Sequence, residues 1–181
     1  MRTTAIAIML CLFSGSLLAG PLEDGLSAFS ARRYADAAAV LTPLARNGNP
    51  QAQVHVGLMH FYGLGVAESE ATAFDWFTRS AIQGSPEGMF YLGNMYLYGN
   101  GVPTAQTDPD ISAAQWFFRA ARKGHAEAQY SLGLLFLVGK GVEKNEAQAM
   151  KWIRRAATQG HAAGQRFLGT MGEGQEKPSP R

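Results

Sequence analysis

The sequence predicts an all-α solenoid, a fold in which pairs of helices stack in tandem. A stretch of glycines and apolar residues recurs three times, and the copies are 52–66, 88–102 and 128–142. The spacing is 36 residues, and it rises to 40 where the second copy carries a longer loop. The three tryptophans of the chain, Trp76, Trp116 and Trp152, all occupy one repeat position. A period of this length is typical of stacked supersecondary units.

The chain begins with features of a secretory signal peptide, predicted over residues 1–19. Arg2 supplies a positive charge, positions 5–18 are apolar and uncharged, and the small residues Ala19 and Gly20 follow. The apolar stretch is too short to span a bilayer comfortably, although a retained anchor helix is the alternative. The only cysteine, Cys11, lies inside this segment. Its removal would leave the mature chain without a disulfide or a cysteine metal site.

The rest of the chain divides by the repeat. Residues 20–51 are predicted to form a degenerate N-terminal half repeat, with Val40 at the tryptophan position. Repeats 1, 2 and 3 occupy 52–87, 88–127 and 128–163, followed by a partial capping repeat at 164–171 and a disordered tail at 172–181. Each full repeat is predicted to contain a helix A (52–62, 88–98 and 128–138), a G-x-G-V turn and a helix B. The predicted N-caps of the B helices are Ser69, Asp108 or Asp110, and Asn145.

One glycine lies inside each helix A, at Gly57, Gly93 and Gly133. A glycine in a helix interior costs about 1 kcal/mol relative to alanine, so another interaction must offset the cost. We predict that the missing side chain lets helix A approach helix B of its own repeat closely. We further predict that small residues at the helix contacts let the indole rings of successive repeats form a continuous spine through the solenoid.

The repeated pattern A-x-x-x-L-G-x-x-Y-x-x-G-x-G-V, followed by A-x-x-W-[FY]-x-x-A-A-x-x-G-x-x-x-A, resembles the Sel-1-like repeat, a relative of the tetratricopeptide repeat. Repeat 1 departs from it at Val56, His60 and Ser80. The resemblance implies a right-handed α/α superhelix that acts as a protein-binding scaffold or adaptor in the bacterial periplasm or as a secreted protein. One cysteine-rich branch of the family has been linked to penicillin binding. A cell-wall or β-lactam hydrolase is therefore the alternative, but the mature chain lacks the cysteines of that branch.

Helix A positions i, i+4, i+7 and i+8 share a face, which in related helical repeats lines the inner surface. We predict that this face binds another protein or a peptide through an aromatic-lined groove, because tyrosine hydroxyl groups need water or a partner. The alternative is that these residues pack inside the core. The predicted partner-binding residues are Val54, Leu58, Phe61, Tyr62, Phe90, Asn94, Leu97, Tyr98, Tyr130, Leu134 and Leu137.

The sequence predicts no catalytic residue, no cofactor and no metal site. His125 and His161 share one repeat position, which favours a role in the turn between helices over catalysis. His55 and His60 are five residues apart and do not share a helix face as a metal-binding pair would. With a net charge of +2 the chain creates no large field that would by itself draw nucleic acid or a membrane. Nucleic acid is therefore not a predicted partner, and no stable membrane insertion is expected after the signal peptide is cleaved.

Charge is distributed unevenly along the chain. Residues 20–118 contain four Lys and Arg against nine Asp and Glu, whereas residues 119–166 contain nine against three. The basic residues lie mostly on B helices. They form either an ordinary solvated convex face or a docking surface for an acidic partner or an anionic lipid.

Overall fold

The computed structural model describes residues 20–103 and 108–173, and all regular structure within these ranges is helical. The prediction of an all-α fold is therefore confirmed. The nine helices of the described residues are α1 Pro21–Ser30, α2 Tyr34–Arg46, α3 Pro50–Tyr62, α4 Glu70–Ile82, α5 Pro86–Tyr98, α6 Pro109–Arg122, α7 Ala126–Val138, α8 Glu146–Thr158 and α9 Ala162–Glu173. The predicted signal peptide and residues 174–181 of the predicted tail lie outside the described residues.

Each helix packs on the helices before and after it in the chain, as expected for a solenoid. The helices α3, α5 and α7 are the predicted A helices, and α4, α6 and α8 are the B helices. An additional contact joins α3 to α5, so the A helices of repeats 1 and 2 lie side by side. This contact brings exposed aromatic side chains of α3 and α5, Tyr62 and Tyr98, to neighbouring helices on one surface.

The predicted half repeat at 20–51 differs from expectation because it contains a complete helix pair, α1 and α2. Leu22, Leu26 and Phe29 of α1 pack against a core cluster that includes residues of α2 and α3. The helix was missed because it lacks the G-x-G-V signature. It ends instead in a turn in which Arg32 adopts a positive φ of 59°.

The glycines inside the A helices lie where helix A and helix B touch. A Cβ atom on Gly57 would lie 2.6 Å from Phe77 Cε1, and one on Gly133 would lie 2.6 Å from Ile153 Cγ1. Real Cβ atoms do not approach other heavy atoms this closely, because non-bonded carbon atoms repel one another well inside their optimal separation of about 3.5–4.0 Å. The prediction that these glycines permit close approach within a repeat is confirmed.

The second glycine of each G-x-G-V turn makes the joint between repeats. A Cβ atom on Gly65 would lie 2.6 Å from the carbonyl carbon of Tyr34, at the start of the preceding B helix. Gly101 and Gly141 lie in the same way against the backbones of Glu70 and Asp110. Gly141 also has a φ of +67°, which disfavours other residues. The joint is thus a contact of backbone on backbone.

The prediction of a continuous indole spine is wrong. Trp76 packs in the N-terminal core cluster, whereas Trp152 belongs to the larger cluster around α4–α7 and Trp116 packs at its edge. No two indole rings are in contact within the described ranges. The reason is that α4 and α6 both pack on α5, which stands between them. Each indole is instead covered by the arginine three residues later in the chain. The distance from the arginine Cζ to the centroid of the ring is 4.8 Å for Arg79, 4.5 Å for Arg119 and 4.7 Å for Arg155.

Candidate functional site

An open hollow of about 350 Å³ lies between α3 and α5, and we call it the aromatic groove. Its floor is formed by Phe77 of α4 and Met95 of α5, which are 1% and 2% exposed. The groove is lined by Leu58, Phe61, Tyr62, Phe77, Tyr91, Asn94, Met95, Tyr98 and Asn100. All nine side chains are apolar, aromatic or neutral amides. The groove therefore suits a ligand group that is apolar and uncharged.

Ring contacts hold the walls of the groove in place. Phe77 and Tyr91 stack with centroids 5.0 Å apart and an interplanar angle of 19°, and Phe61 meets Tyr62 edge to face at 4.9 Å. Such pairs contribute about 0.5–1.5 kcal/mol beyond their burial. At the rim, Tyr62 and Tyr98 are 61% and 71% exposed. Two large aromatic rings are thus presented to solvent beside a preformed apolar floor.

Two polar groups in the groove can orient a ligand. Asn94 occupies the repeat position held by Leu58 and Leu134, and its side chain has no hydrogen-bond partner among the residues that the structure describes. Its amide offers a donor and an acceptor, the same pair that a peptide bond offers. Burial raises the pKa of Tyr91, and nearby Glu87 adds to the effect. Its phenol therefore stays protonated and able to donate.

Five of the predicted partner-binding residues meet in this groove: Leu58, Phe61, Tyr62, Asn94 and Tyr98. Val54 is completely buried in the core, so its assignment to the binding surface is wrong. Phe90 and Tyr130, at the same repeat position, are half-buried against His125 and His161, with ring centroids 4.8 and 4.7 Å apart. This position lies near the start of helix A, where the next helix junction covers it.

The remaining predicted residues lie elsewhere. Leu97 is half-buried against the core, and Leu134 and Leu137 are on α7, outside the lining of the groove. Their binding of a partner stays a prediction. Four residues that line the groove were not predicted from the sequence: Phe77, Tyr91, Met95 and Asn100. Tyr91 could have been predicted, because it is an aromatic residue at a position where the other repeats have His55 and Ser131, and such a departure from the repeat is visible in the sequence.

The predicted caps are confirmed. Ser69 and Asn145 accept hydrogen bonds from the amides of Thr72 and Gln148. Asp108, rather than Asp110, is the N-cap of α6.

His125 has the turn role predicted for it. Its Nδ1 accepts a hydrogen bond from the Ala128 amide at 3.2 Å and so caps α7. Burial lowers the pKa of His125, although Glu127, 3.4 Å away, acts in the opposite direction. The neutral ring that capping requires is therefore favoured. His161 likewise accepts from the Gly164 amide at 3.1 Å.

No group of three or more His, Cys, Asp or Glu side chains within 20–103 and 108–173 is arranged to hold a metal ion. No helix in this part of the chain combines the length and the apolar character needed to cross a membrane.

The paired helices, the glycine-mediated contacts and the groove between adjacent A helices define a helical-repeat protein. Comparison with protein families gives three matches to the Sel1 repeat, at residues 50–85, 86–125 and 126–161. The chain belongs to the Sel1 repeat family. Members of this family generally mediate protein–protein interactions and are generally non-catalytic scaffolds. The matched segments begin two residues before the predicted repeats, at the helix starts.

Solved structures agree with this assignment. A Sel1 repeat protein from Oxalobacter formigenes is 32% identical, with a TM-score of 0.73, over 81% of this chain and 57% of its own. A protective antigen of uropathogenic Escherichia coli strains, which displays the same fold, is 33% identical with a TM-score of 0.71 over 81% and 32%. The chain thus spans little more than half of the first protein and a third of the second.

A more distant match shares the fold alone. Cysteine-rich protein B of Helicobacter pylori is 20% identical, with a TM-score of 0.52, over 80% of this chain and 95% of its own. No curated protein matched the sequence.

Proposed function

We propose that this chain is an exported, non-catalytic adaptor of the bacterial envelope that binds an extended, apolar segment of a partner protein in the aromatic groove. The observation that carries the proposal is the uncharged hollow between α3 and α5, with Tyr62 and Tyr98 exposed at its rim. Large exposed aromatic side chains beside an apolar pocket are characteristic of the residues that dominate binding energy.

The polar groups favour an extended chain as the ligand. A helix satisfies its own backbone groups, whereas an extended peptide leaves amides and carbonyls free to pair with a receptor. Asn94 has an unused amide at the groove, and it replaces the leucine found at the equivalent positions of the neighbouring repeats. The middle repeat thus carries a hydrogen-bonding group at the wall of an otherwise apolar site.

The binding test uses the chain from residue 20 onward and a library of random peptides. Enriched peptides are expected to contain apolar and aromatic residues without charge at their centre. Their affinity, measured by fluorescence anisotropy, should fall about tenfold or more in Tyr62→Ala/Tyr98→Ala, because each buried aromatic ring contributes about 1–2 kcal/mol. Asn94→Leu should weaken binding several-fold, by roughly the contribution of one hydrogen bond.

The chain offers a matched control. Val138 occupies the repeat position of Tyr62 and Tyr98 and is 70% exposed, but it lies on α7 outside the groove. Val138→Ala should leave affinity unchanged. If it weakens binding as much as Tyr62→Ala/Tyr98→Ala does, or if neither variant has an effect, the aromatic groove is not the binding site.

Export is tested separately. The basic residue and the apolar run of residues 1–19 support it. Residues 1–25 fused to alkaline phosphatase should yield an active enzyme in a bacterial host, since that reporter requires disulfides that form outside the cytoplasm. An inactive fusion that is expressed normally would show that the segment does not direct export.

A further inference from the structure

We infer that the middle repeat carries a second binding site, distinct from the aromatic groove, for an acidic peptide segment. The site is a hollow of about 310 Å³ lined by Met89, Phe118, Arg119, Arg122 and Lys123, and we call it the basic hollow. It lies between α5 and the C-terminal end of α6.

The hollow is found at the place where repeats 1 and 3 have a polar bridge. In repeat 1 the buried Gln53 donates to the Ala45 carbonyl oxygen at 3.0 Å and accepts from Gln83 Nε2 at 2.7 Å. Repeat 3 repeats the arrangement, with Gln159 donating to the buried Gln129 at 2.7 Å. These bridges tie the end of helix B to helix A within the repeat.

The middle repeat cannot form this bridge. The positions equivalent to Gln53 and Gln83 are Met89 and Lys123. A thioether and an ammonium group cannot form the hydrogen bond that joins the two side-chain amides. Both residues line the hollow. Both departures from the repeat thus lie at one place. In the middle repeat, an open apolar floor with a cation beside it replaces the hydrogen-bonded glutamine bridge.

The cations of the basic hollow are available to a ligand. Within residues 20–103 and 108–173 there are four ion pairs, and none includes Arg119, Arg122 or Lys123. The guanidinium groups of both arginines are positioned by aromatic rings. Arg119 lies 4.5 Å from the Trp116 centroid and Arg122 lies 5.8 Å from that of Phe118. A guanidinium held over a ring loses less freedom when it binds a carboxylate.

The shape and composition of the hollow define the ligand. Its volume is at the low end of the range for small-molecule pockets, which suits one side chain better than a large cofactor. Met89 and Phe118 provide apolar contacts for that side chain, and the three cations suit carboxylates on either side of it. The best fit is a segment in which one aromatic or aliphatic residue is flanked by Asp or Glu.

The test compares a fluorescein-labelled peptide of sequence GDEFEDG with its neutral counterpart GNQFQNG. The full chain from residue 20 is expected to bind the acidic peptide about tenfold or more tightly, with an affinity that falls as salt rises from about 50 to 500 mM. Tyr62→Ala/Tyr98→Ala should not alter this binding. A negative result for the acidic peptide is therefore distinguishable from a negative result for binding in the aromatic groove.

Two variants test the hollow itself. Met89→Gln/Lys123→Gln restores the bridge of the other repeats and should weaken acidic-peptide binding at least about tenfold, with an unchanged or higher melting temperature. If that variant fails to fold, Arg122→Gln replaces it, with an expected loss of about threefold to fivefold. Lys151→Gln removes an exposed cation of α8 and is the matched control, with a change of less than about twofold.

Several outcomes would overturn the inference. Equal affinity for the acidic and neutral peptides would show that charge does not select the ligand. A loss in Lys151→Gln as large as that in Met89→Gln/Lys123→Gln would indicate a diffuse electrostatic surface. Binding to phosphatidylglycerol vesicles that Met89→Gln/Lys123→Gln abolishes, without peptide binding, would identify a lipid site instead.

Discussion

Replacing Gly57 by alanine tests the close approach of helix A to helix B directly. The new methyl carbon would lie 2.6, 2.8 and 3.1 Å from three ring atoms of Phe77, a side chain that is only 1% exposed. Overpacking of a core costs about 1–3 kcal/mol, and we expect the upper end because three atoms of one ring are contacted at once, so the whole ring must shift. Alanine recovers about 1 kcal/mol of helix propensity. The net loss is about 2 kcal/mol, or a melting temperature lower by about 4–8 °C.

The chain supplies its own control at the same repeat position. Gly169 lies in α9, which has no following B helix within the described residues, and a Cβ atom there would meet no atom within 4 Å. Gly169→Ala should therefore stabilise the protein by up to about 1 kcal/mol. Both variants are compared by thermal melting followed by circular dichroism. Equal shifts in Gly57→Ala and Gly169→Ala, or a Gly57→Ala protein as stable as the wild type, would refute the packing argument.

Three further predictions concern stability. Because the folded state holds the pKa of His125 below its usual value, stability should fall as the pH drops from about 7.5 to 5, and His125→Asn, which keeps a cap without titrating, should reduce that slope in urea titrations. Thr78→Val should raise the melting temperature by about 1–3 °C, because the Thr78 hydroxyl is buried and has no hydrogen-bond partner in the described part of the chain; a lower melting temperature would contradict this. Arg32→Gly should stabilise the protein by about 0.5–1 kcal/mol in chemical denaturation, since glycine accepts the φ of 59° without strain, and no gain would show that the turn is relaxed.

The fold was predictable from the sequence because its signals repeat. Gly57, Gly93 and Gly133 lie at the same distance from a G-x-G-V turn, and three aligned copies of a weak signal make a strong one. The caps Ser69 and Asn145 were predictable for the same reason, since each precedes a helix at a fixed distance from the G-x-G-V turn. Helix α1 was not, because no G-x-G-V turn follows it, although its Gly25 packs against Leu41 as Gly57 packs against Phe77.

The binding surface was only partly predictable, because helix A is apolar on nearly every side. Periodicity identifies a buried face only when the opposite face is polar. It therefore placed Val54 and Tyr62 together, although the first is completely buried and the second is 61% exposed. The basic hollow was missed for another reason. In the sequence it is marked only by Met89 and Lys123, which replace the two glutamines of the other repeats. That those glutamines bond to each other is known only from the hydrogen bonds of Gln53 and Gln129 in the structure.

The joint at Gly101 bears on how the aromatic groove would receive a ligand, because it connects the two repeats that form the groove. At this joint the turn that follows α5 lies directly on the backbone at the start of α4, so no side-chain rotamer there sets the distance between repeats 1 and 2. The groove is consequently preorganised, and a ligand loses little free energy in reshaping it. Such rigidity favours selective recognition over broad tolerance. A segment whose side chains do not match the spacing of Tyr62 and Tyr98 would have to change its own conformation, because the backbone of the groove is fixed.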